Sequence, residues 1–309
     1  MSNQECLHGV SVVIPTLNRA EELADTVRDI LNQNYRDFEL IIVDQSAEIN
    51  HQVLSLLAAG NIPCRYFHAQ FRGLPLARNF GWRQAKNDIV LYIDDDIRCG
   101  QDFVGAHYQA HQTTQADLIA GGIDEAKGNG HHQGAPGSFN PWLATSIRNF
   151  HHKTPGWCLH GPGGNFSIRR RVLAEIGGFD EALTIGAALY EETELALRLK
   201  QAAKKAWFAP EARLLHLAAP MGGCRVKNDW ARYMYGLAHN RTLLIFRHLR
   251  CWYWPTALLR LLMLGVSYSR LDASIRPLLA TLRAVPVGFR AALSAPVNAE
   301  LSAKECTFY

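Results

Sequence analysis

Strand-like and helix-like hydrophobic patterns alternate through the first two thirds of the chain. Residues 10–15, VSVVIP, form an apolar, largely β-branched run that predicts a strand. Residues 19–33 then place Leu23, Val27, Ile30 and Leu31 at helical spacing, and residues 38–44, FELIIVD, predict a second strand. A helix near 50–59, a strand over PCRYFHA, a helix near 75–86 and a buried strand at 89–93 continue the series. Such alternation predicts an α/β fold, with a mostly parallel sheet covered by helices on both faces. In sheets of this kind ligands gather outside the carboxyl ends of the strands.

The strands end on acids. Asp44 closes one, and Asp94, Asp95 and Asp96 close another, so the parallel arrangement sets all four along one edge. A single aspartate at a strand end is also what an ordinary turn uses. Three in succession repel one another, which destabilises the fold unless a cation is present. Residues 125–141 are Gly-rich and polar and predict a loop, whose His131–His132 pair reads as solvated surface. Gly161, Gly163 and Gly164 then allow backbone to approach a ligand closely.

Residues 190–205, YEETELALRLKQAAKK, predict a helix that opens on glutamates. Glu194 and Arg198 are i, i+4 neighbours, which gives Glu194 an ordinary role as half of a surface pair. Glu192 shares the apolar face with Leu195, Ala196 and Leu199 yet sits in the first turn, where the helix dipole keeps a carboxylate ionised. An ionised carboxylate at the edge of a core is what a general base requires.

Composition narrows the classes. With 309 residues and 48% hydrophobic content the chain can bury a large core. Its seven cysteines are scattered and odd in number, which argues against a disulfide framework and a cysteine zinc site and predicts a reducing compartment. No basic-then-apolar leader opens the sequence, so the expectation is a cytoplasmic protein. Residues 220–309 hold twelve Lys/Arg against four Asp/Glu, a net charge of +8, whereas residues 1–219 carry twenty against twenty-four, a net of −4.

Taken in order, VVIPTLNRAEEL, IIVDQS, RGLPLARNFGWRQAKNDIVLYIDDD, GGNFSIRR, GGFDE and YEETELALRL resemble the family 2 glycosyltransferases of the GT-A fold, over about residues 9–217. The resemblance implies a Rossmann-like catalytic domain over residues 1–219 and a helical extension over 220–309. It implies that Pro15, Thr16, Leu17, Asn18 and Asp44 line the pocket for the donor's base and ribose, with Arg78, Asn79, Asp94 and Asp95 near the donor. Asp96 and Asp94 match the family's DxD pattern and would bind Mg²⁺ or Mn²⁺, with His216 as a further ligand. Glu192 matches the catalytic base, Glu191 is its substitute, and Gly163, Gly164 and Asn165 would approach donor and acceptor. Two positions depart from the family pattern: Asp44–Gln45 stands for the usual Asp-Asp, and Glu191–Glu192 for Glu-Asp.

The implied activity is inverting, metal-dependent transfer of a sugar from a nucleotide-sugar donor to a glycan or lipid-linked acceptor, in cell-surface polysaccharide assembly. An inactive nucleotide-sugar or glycan-binding scaffold is the alternative, supported only by the two departures. A nucleotidyltransferase or phosphatase lacks its phosphate loop, and Arg98 stands where an Asp-based phosphatase would want Thr or Val. Beyond residue 219, Trp252, Tyr253 and Trp254 suit the water–lipid boundary, and arginines 241, 247, 250, 260, 270, 276, 283 and 290 suit anionic headgroups. Arg260 interrupts the apolar run Trp252–Tyr268, so that run predicts surface binding at the inner face of the membrane, not a span. No nucleic-acid motif accompanies the basic residues.

Overall fold

The computed structural model describes residues 7–130, 133–219, 221–223, 226, 228–296 and 306–309; His131 and His132 lie outside them. The chain begins with β1 (Val10–Thr16), α1 (Ala20–Leu31), β2 (Phe38–Asp44), α2 (His51–Ala59), β3 (Cys64–Ala69), α3 (Leu74–Gln84) and β4 (Ile89–Ile93). There follow β5 (Ile97–Cys99), α4 (Phe103–Thr114), β6 (Leu118–Glu125), β7 (Ser138–Asn140), β8 (Thr145–Ile147) and β9 (Gly156–Cys158). Next come β10 (Asn165–Arg169), α5 (Arg170–Ile176), α6 (Glu191–Gln201) and β11 (Ala206–His216). The C-terminal part forms α7 (Trp230–His248), α8 (Trp254–Leu271), α9 (Arg276–Ala292) and β12 (Cys306–Phe308).

A ten-stranded sheet runs in the order β12-β3-β2-β1-β4-β10-β6-β11-β5, with β9 also paired to β11. Strands β3, β2, β1 and β4 are mutually parallel, as the alternation predicts. β10 runs antiparallel between β4 and β6, which makes the sheet mixed and restores β6 and β11 to the direction of β4. β1, β2, β4, β6 and β11 therefore all end at one edge. The central strands are apolar on both faces because helices cover both: Val12–Ile14, Leu40–Val43 and Ile89–Ile93 have no accessible surface. Burying each such side chain contributes about 1.5–3 kcal/mol, enough to fix the register that aligns the acids.

Along β11 the pairing with β6 shifts between Ala209 and Arg213. Pro210, which lacks a ladder donor, sits inside this bulge. Asn165 fills the gap by donating through Nδ2 to the carbonyls of Gly122 and Ala212, both at 2.8 Å. Gly121 makes room, since a Cβ there would stand 2.2 Å from that amide nitrogen.

The C-terminal helices pack on this body through α7. Asn240 Nδ2 donates to the carbonyls of Leu183 (3.0 Å) and Leu189 (2.9 Å), pinning the loop that leads into α6. Two arginines expected at lipid headgroups are turned inward instead. Arg241, 2% exposed, donates to the carbonyls of Ala144 and Leu143, and Arg247 pairs with Asp180. The two point about 120° apart around α7, and Arg247 also donates to the carbonyls of Ala291 and Ser294 beside α9. Arg250, Arg260, Arg270, Arg276, Arg283 and Arg290 remain exposed. Among the described residues no helix is long and apolar enough to cross a membrane.

Candidate active site

The strand ends frame a cleft of about 830 Å³ lined by Pro15, Thr16, Leu17, Asp94, Glu125 and His216, among others. Register explains the grouping. Thr16 lies opposite Asp44, and His216 lies opposite Glu125.

The three consecutive aspartates diverge in role. Asp95 turns inward, where Thr16 Oγ1 and Arg19 Nη1 each donate to it at 2.6 Å. Burial raises its pKa to about 6 even against the Arg19 charge. Asp96 is fully buried, accepts from the Ala219 amide at 2.8 Å and has Arg19 Nη1 at 3.1 Å. Burial pushes its carboxyl up, but the hydrogen bond and charge of His216, with Arg19, outweigh that and hold it below the usual range. Asp94 keeps a third of its side chain exposed.

Ligand atoms of Asp94, Asp96 and His216 lie within 4.8 Å of one another. The His216 ring is oriented by Nδ1 against Glu125 Oε2 at 2.7 Å, with Nε2 3.4 Å from Asp96 Oδ1. Burial lowers the imidazole pKa, yet these carboxylates carry it to about 10. Two carboxylates and an imidazole held by a further carboxylate are a donor set that suits Mg²⁺ or Mn²⁺, so the residues present fit a divalent cation.

The second acidic group lies at the start of α6, which Tyr190 caps in a left-handed conformation (φ 71°). Glu191 is buried and pairs with Arg78, whose Nη2 donates to the Gly163 carbonyl at 2.6 Å and lies 4.0 Å from Asp94 Oδ1. The guanidinium is enclosed by the rings of Tyr92, Phe166 and Phe179 at 5.8, 5.8 and 5.5 Å. Burial drives Glu191 up to about 8 despite Arg78, and Glu192 adds to the rise. Glu192 is half-buried beside Gly163, where a Cβ would come within 3.9 Å of its carboxyl carbon. At Gly164 a Cβ would stand 2.3 Å from Asp94 Oδ2. The Gly163–Gly164 backbone is thus the seam between the aspartates and the glutamates.

Several expected site residues do other work. Asn79 is buried and clasps Phe179 through both ends of its amide, while also donating to Glu181 at 2.8 Å. Asn165 fills the β11 bulge and takes His107 Nε2 at 2.8 Å. Neither side chain lines the cleft, because each satisfies buried backbone that nothing else reaches. Asp44 is 1% exposed and accepts from the Tyr66 hydroxyl and the Ser46 amide. Asn18 (φ 55°) turns the chain after β1 and donates its amide to Ser46 Oγ at 2.7 Å.

Glu194 is the clearest departure. It does pair with Arg198, but it is fully buried and also meets His248 at 3.0 Å and Arg247 at 3.5 Å, both from α7. Sequence reasoning missed Arg19 and Gln45, and also Arg72, Arg148 and Arg232, which are exposed and line the cleft. It missed Glu125 too, although the strand-end rule that selected Asp44 applies equally there.

The model of Glycosyl transferase family 2 matches residues 11–177. The poly(ribitol-phosphate) β-N-acetylglucosaminyltransferase TarP of Staphylococcus aureus is 28% identical over 116 residues, 36% of each chain. A GalNAc(5)-diNAcBac-PP-undecaprenol β-1,3-glucosyltransferase of Campylobacter jejuni is 28% identical over 123 residues, 39% of this chain and 40% of that one. The chain thus spans about two fifths or less of these relatives. In fold it is similar to the mannosyltransferase PcManGT of Pyrobaculum calidifontis, solved in complex with GDP-Man and Mn²⁺: TM-score 0.56, 15% identity, 92% of this chain and 88% of that one.

Proposed function

The chain belongs to glycosyl transferase family 2 and is a glycosyltransferase, and on that premise we propose that it transfers a sugar from a nucleotide-sugar donor to a hydroxyl of a glycan or lipid-linked acceptor, with inversion and with a divalent metal. The observation that carries this reading is the closeness of the two acidic groups: Asp94, of the Asp94, Asp96 and His216 cluster, lies against Gly164, and Glu192 lies against Gly163.

Asp94, Asp96 and His216 would hold Mg²⁺ or Mn²⁺. When bound, such an ion offsets charge on a sugar diphosphate and on the nucleotide as it leaves. Pro15, Thr16 and Leu17, which line the cleft, would face the donor. Glu192 takes the proton of the acceptor hydroxyl, and that oxygen attacks the anomeric carbon from the face opposite the diphosphate. A single displacement of this kind inverts the configuration. Arg78 keeps Glu191 in place beneath Glu192, so Glu191 acts as a positioning residue rather than as the base. Arg72, Arg148 and Arg232 would attract anionic parts of donor or acceptor.

Work at the inner face of a membrane, in cell-surface polysaccharide assembly, fits the remaining surface. Helix α8 exposes Leu259, Leu262, Met263 and Val266 next to Arg260 and Arg270. Apolar side chains flanked by arginines suit an anionic bilayer surface.

The reading is tested by incubating the protein with a panel of nucleotide sugars and Mn²⁺, with and without lipid-linked or glycan acceptors. Glu192→Gln is expected to lower kcat by about 10²–10⁴ with KM nearly unchanged, and Asp96→Ala to abolish turnover. Turnover intact in both variants would remove these roles. Donor binding without product release under any acceptor would favour the scaffold reading.

A further inference from the structure

A second cavity, of about 670 Å³, lies at the opposite end of β11 from the cleft, lined in part by Phe139, Trp157, Leu159, Leu199, Lys200 and Lys205. Ala206, which borders it, and His216, at the cleft, are the two ends of the 11-residue strand β11. At about 3.3 Å per residue those two ends of β11 stand roughly 30 Å apart, whereas Leu199, which lines the cavity, follows Glu192 on α6 by only about 10 Å.

Trp157 is 57% exposed, unusual for so large an apolar side chain. It is the cross-strand partner of Trp207, and the two rings meet edge to face at 5.0 Å and 81°. Lys205 Nζ stands 5.8 Å from the ring centre, and the Lys205 amide is fixed to Asp117 Oδ2 at 2.9 Å. Lys200 and Lys204 complete the basic rim. Lys204 pairs with Glu175, whereas among the described residues no carboxylate pairs with Lys200 or Lys205. No Asp or Glu lines the cavity among the described residues.

We propose that this cavity binds an acidic glycan, a sugar chain bearing carboxylate or phosphate groups, at a subsite outside the strand-edge cleft. An exposed indole offers a flat surface to a sugar ring, and the Lys200 and Lys205 ammonium groups beside it, neither paired with a carboxylate among the described residues, select for negative charge. The concave shape argues against a bilayer, which seats on a convex apolar face such as α8 presents. In a glycosyltransferase such a subsite would retain a growing chain between additions. That consequence rests on the proposed function; the binding itself does not.

The test measures binding by calorimetry, with the full chain at low salt. The probes are hexagalacturonate, a glycerol-phosphate oligomer, uncharged maltohexaose, UDP, and phosphatidylglycerol vesicles. The expected result is salt-sensitive binding of one or both acidic oligomers. Trp157→Ala and the double variant Lys200→Gln/Lys205→Gln each weaken it by about tenfold or more, the order of losing one stacking platform. Trp157→Tyr keeps most of it, and Asp96→Asn, at the other site, leaves it unchanged. Melting temperatures near wild type show that the variants fold.

Acidic-glycan binding that Trp157→Ala leaves intact would overturn the proposal. So would the absence of binding by both acidic oligomers, tighter binding of maltohexaose, UDP binding that Trp157→Ala abolishes, or a loss confined to vesicle binding. None of these results would alter turnover at the strand-edge cleft, so failure here is distinct from failure of the glycosyltransferase reading.

Discussion

Arg78 and Glu191 form an ion pair with almost no contact with water: their side chains are 1% and 2% exposed. Arg78 comes from α3 and Glu191 from the first turn of α6, so the pair ties the two helices together beneath the Gly163 carbonyl. A buried pair is seldom a net source of stability, but removing one partner strands the other.

Replacing Arg78 with Met is therefore expected to destabilise the fold by about 3–5 kcal/mol where Glu191 must stay ionised. The size of the loss depends on pH. Without the guanidinium, the Glu191 carboxyl, already raised to about 8, rises further and holds its proton. In both proteins the unfolded chain ionises that group near pH 4.5, so the deficit is level up to the wild-type folded value near 8, grows only above it, and is larger at pH 9.5 than at pH 6. Urea denaturation of Arg78→Met at both values checks it. A deficit independent of pH would show that Glu191 does not feel the loss.

The Gly164 position allows a sharper geometric test. Alanine there brings a Cβ to 2.3 Å from Asp94 Oδ2, so either the loop or the carboxylate must shift. Gly164→Ala should lower stability by about 1–3 kcal/mol, as overpacking does, and raise the Mn²⁺ concentration needed for half-maximal turnover. Gly163→Ala is the control, because its nearest neighbour would be at an ordinary 3.5 Å. Equal effects at the two positions would contradict this account of the seam.

Part of the acidic strand-end edge was legible because one rule governs it. Parallel strands end together, so Asp44 and Asp94–Asp96 could be grouped from the apolar runs that precede them, whereas His216 entered only through the family resemblance. Side-chain direction at those ends was not legible. Asp95 points inward and Asp94 outward because Thr16 and Arg19 claim the former, a contact spanning 76 residues for Arg19. β10 could not be placed between β4 and β6 from periodicity alone, since hydrophobic spacing carries no strand order. Glu194 shows the same limit. Its helical spacing to Arg198 was visible, but its burial depends on His248 and Arg247, more than fifty residues away.

The cluster of Asp94, Asp96 and His216 predicts stabilisation by metal without any substrate. Mn²⁺ bound only by the folded form raises stability by about 2.7 kcal/mol at a concentration one hundred times its dissociation constant. Differential scanning fluorimetry against Mn²⁺ and Mg²⁺ should show an upward, saturable shift in Tm that EDTA reverses. Asp96→Asn should abolish the shift, and His216→Ala should reduce it. A shift of full size in Asp96→Asn would place the ion elsewhere.

A pH effect on stability is expected far from the cleft. On α4, His107 contacts Ser167 Oγ (2.9 Å) and Asn165 Oδ1 (2.8 Å), and His111 contacts Ser167 Oγ (3.0 Å) and the Ala116 carbonyl (3.1 Å). Burial lowers the pKa of His107 to about 4 and of His111 to about 3. Below pH 6.5 the unfolded chain protonates these rings and the folded one does not. Each therefore removes about 1.4 kcal/mol of stability per pH unit as pH falls through that window. Asp95 and Glu191, both raised, act in the opposite direction over part of the range, so wild type alone does not isolate the effect. The comparison is with His111→Gln, which keeps a group able to reach Ser167 but cannot protonate. Its stability at pH 7 should be lower than wild type through the lost Ala116 contact, and the gap should narrow steadily from pH 6.5 to pH 4.5 in urea titrations. A gap that stays constant would mean that His111 does not titrate as its burial requires.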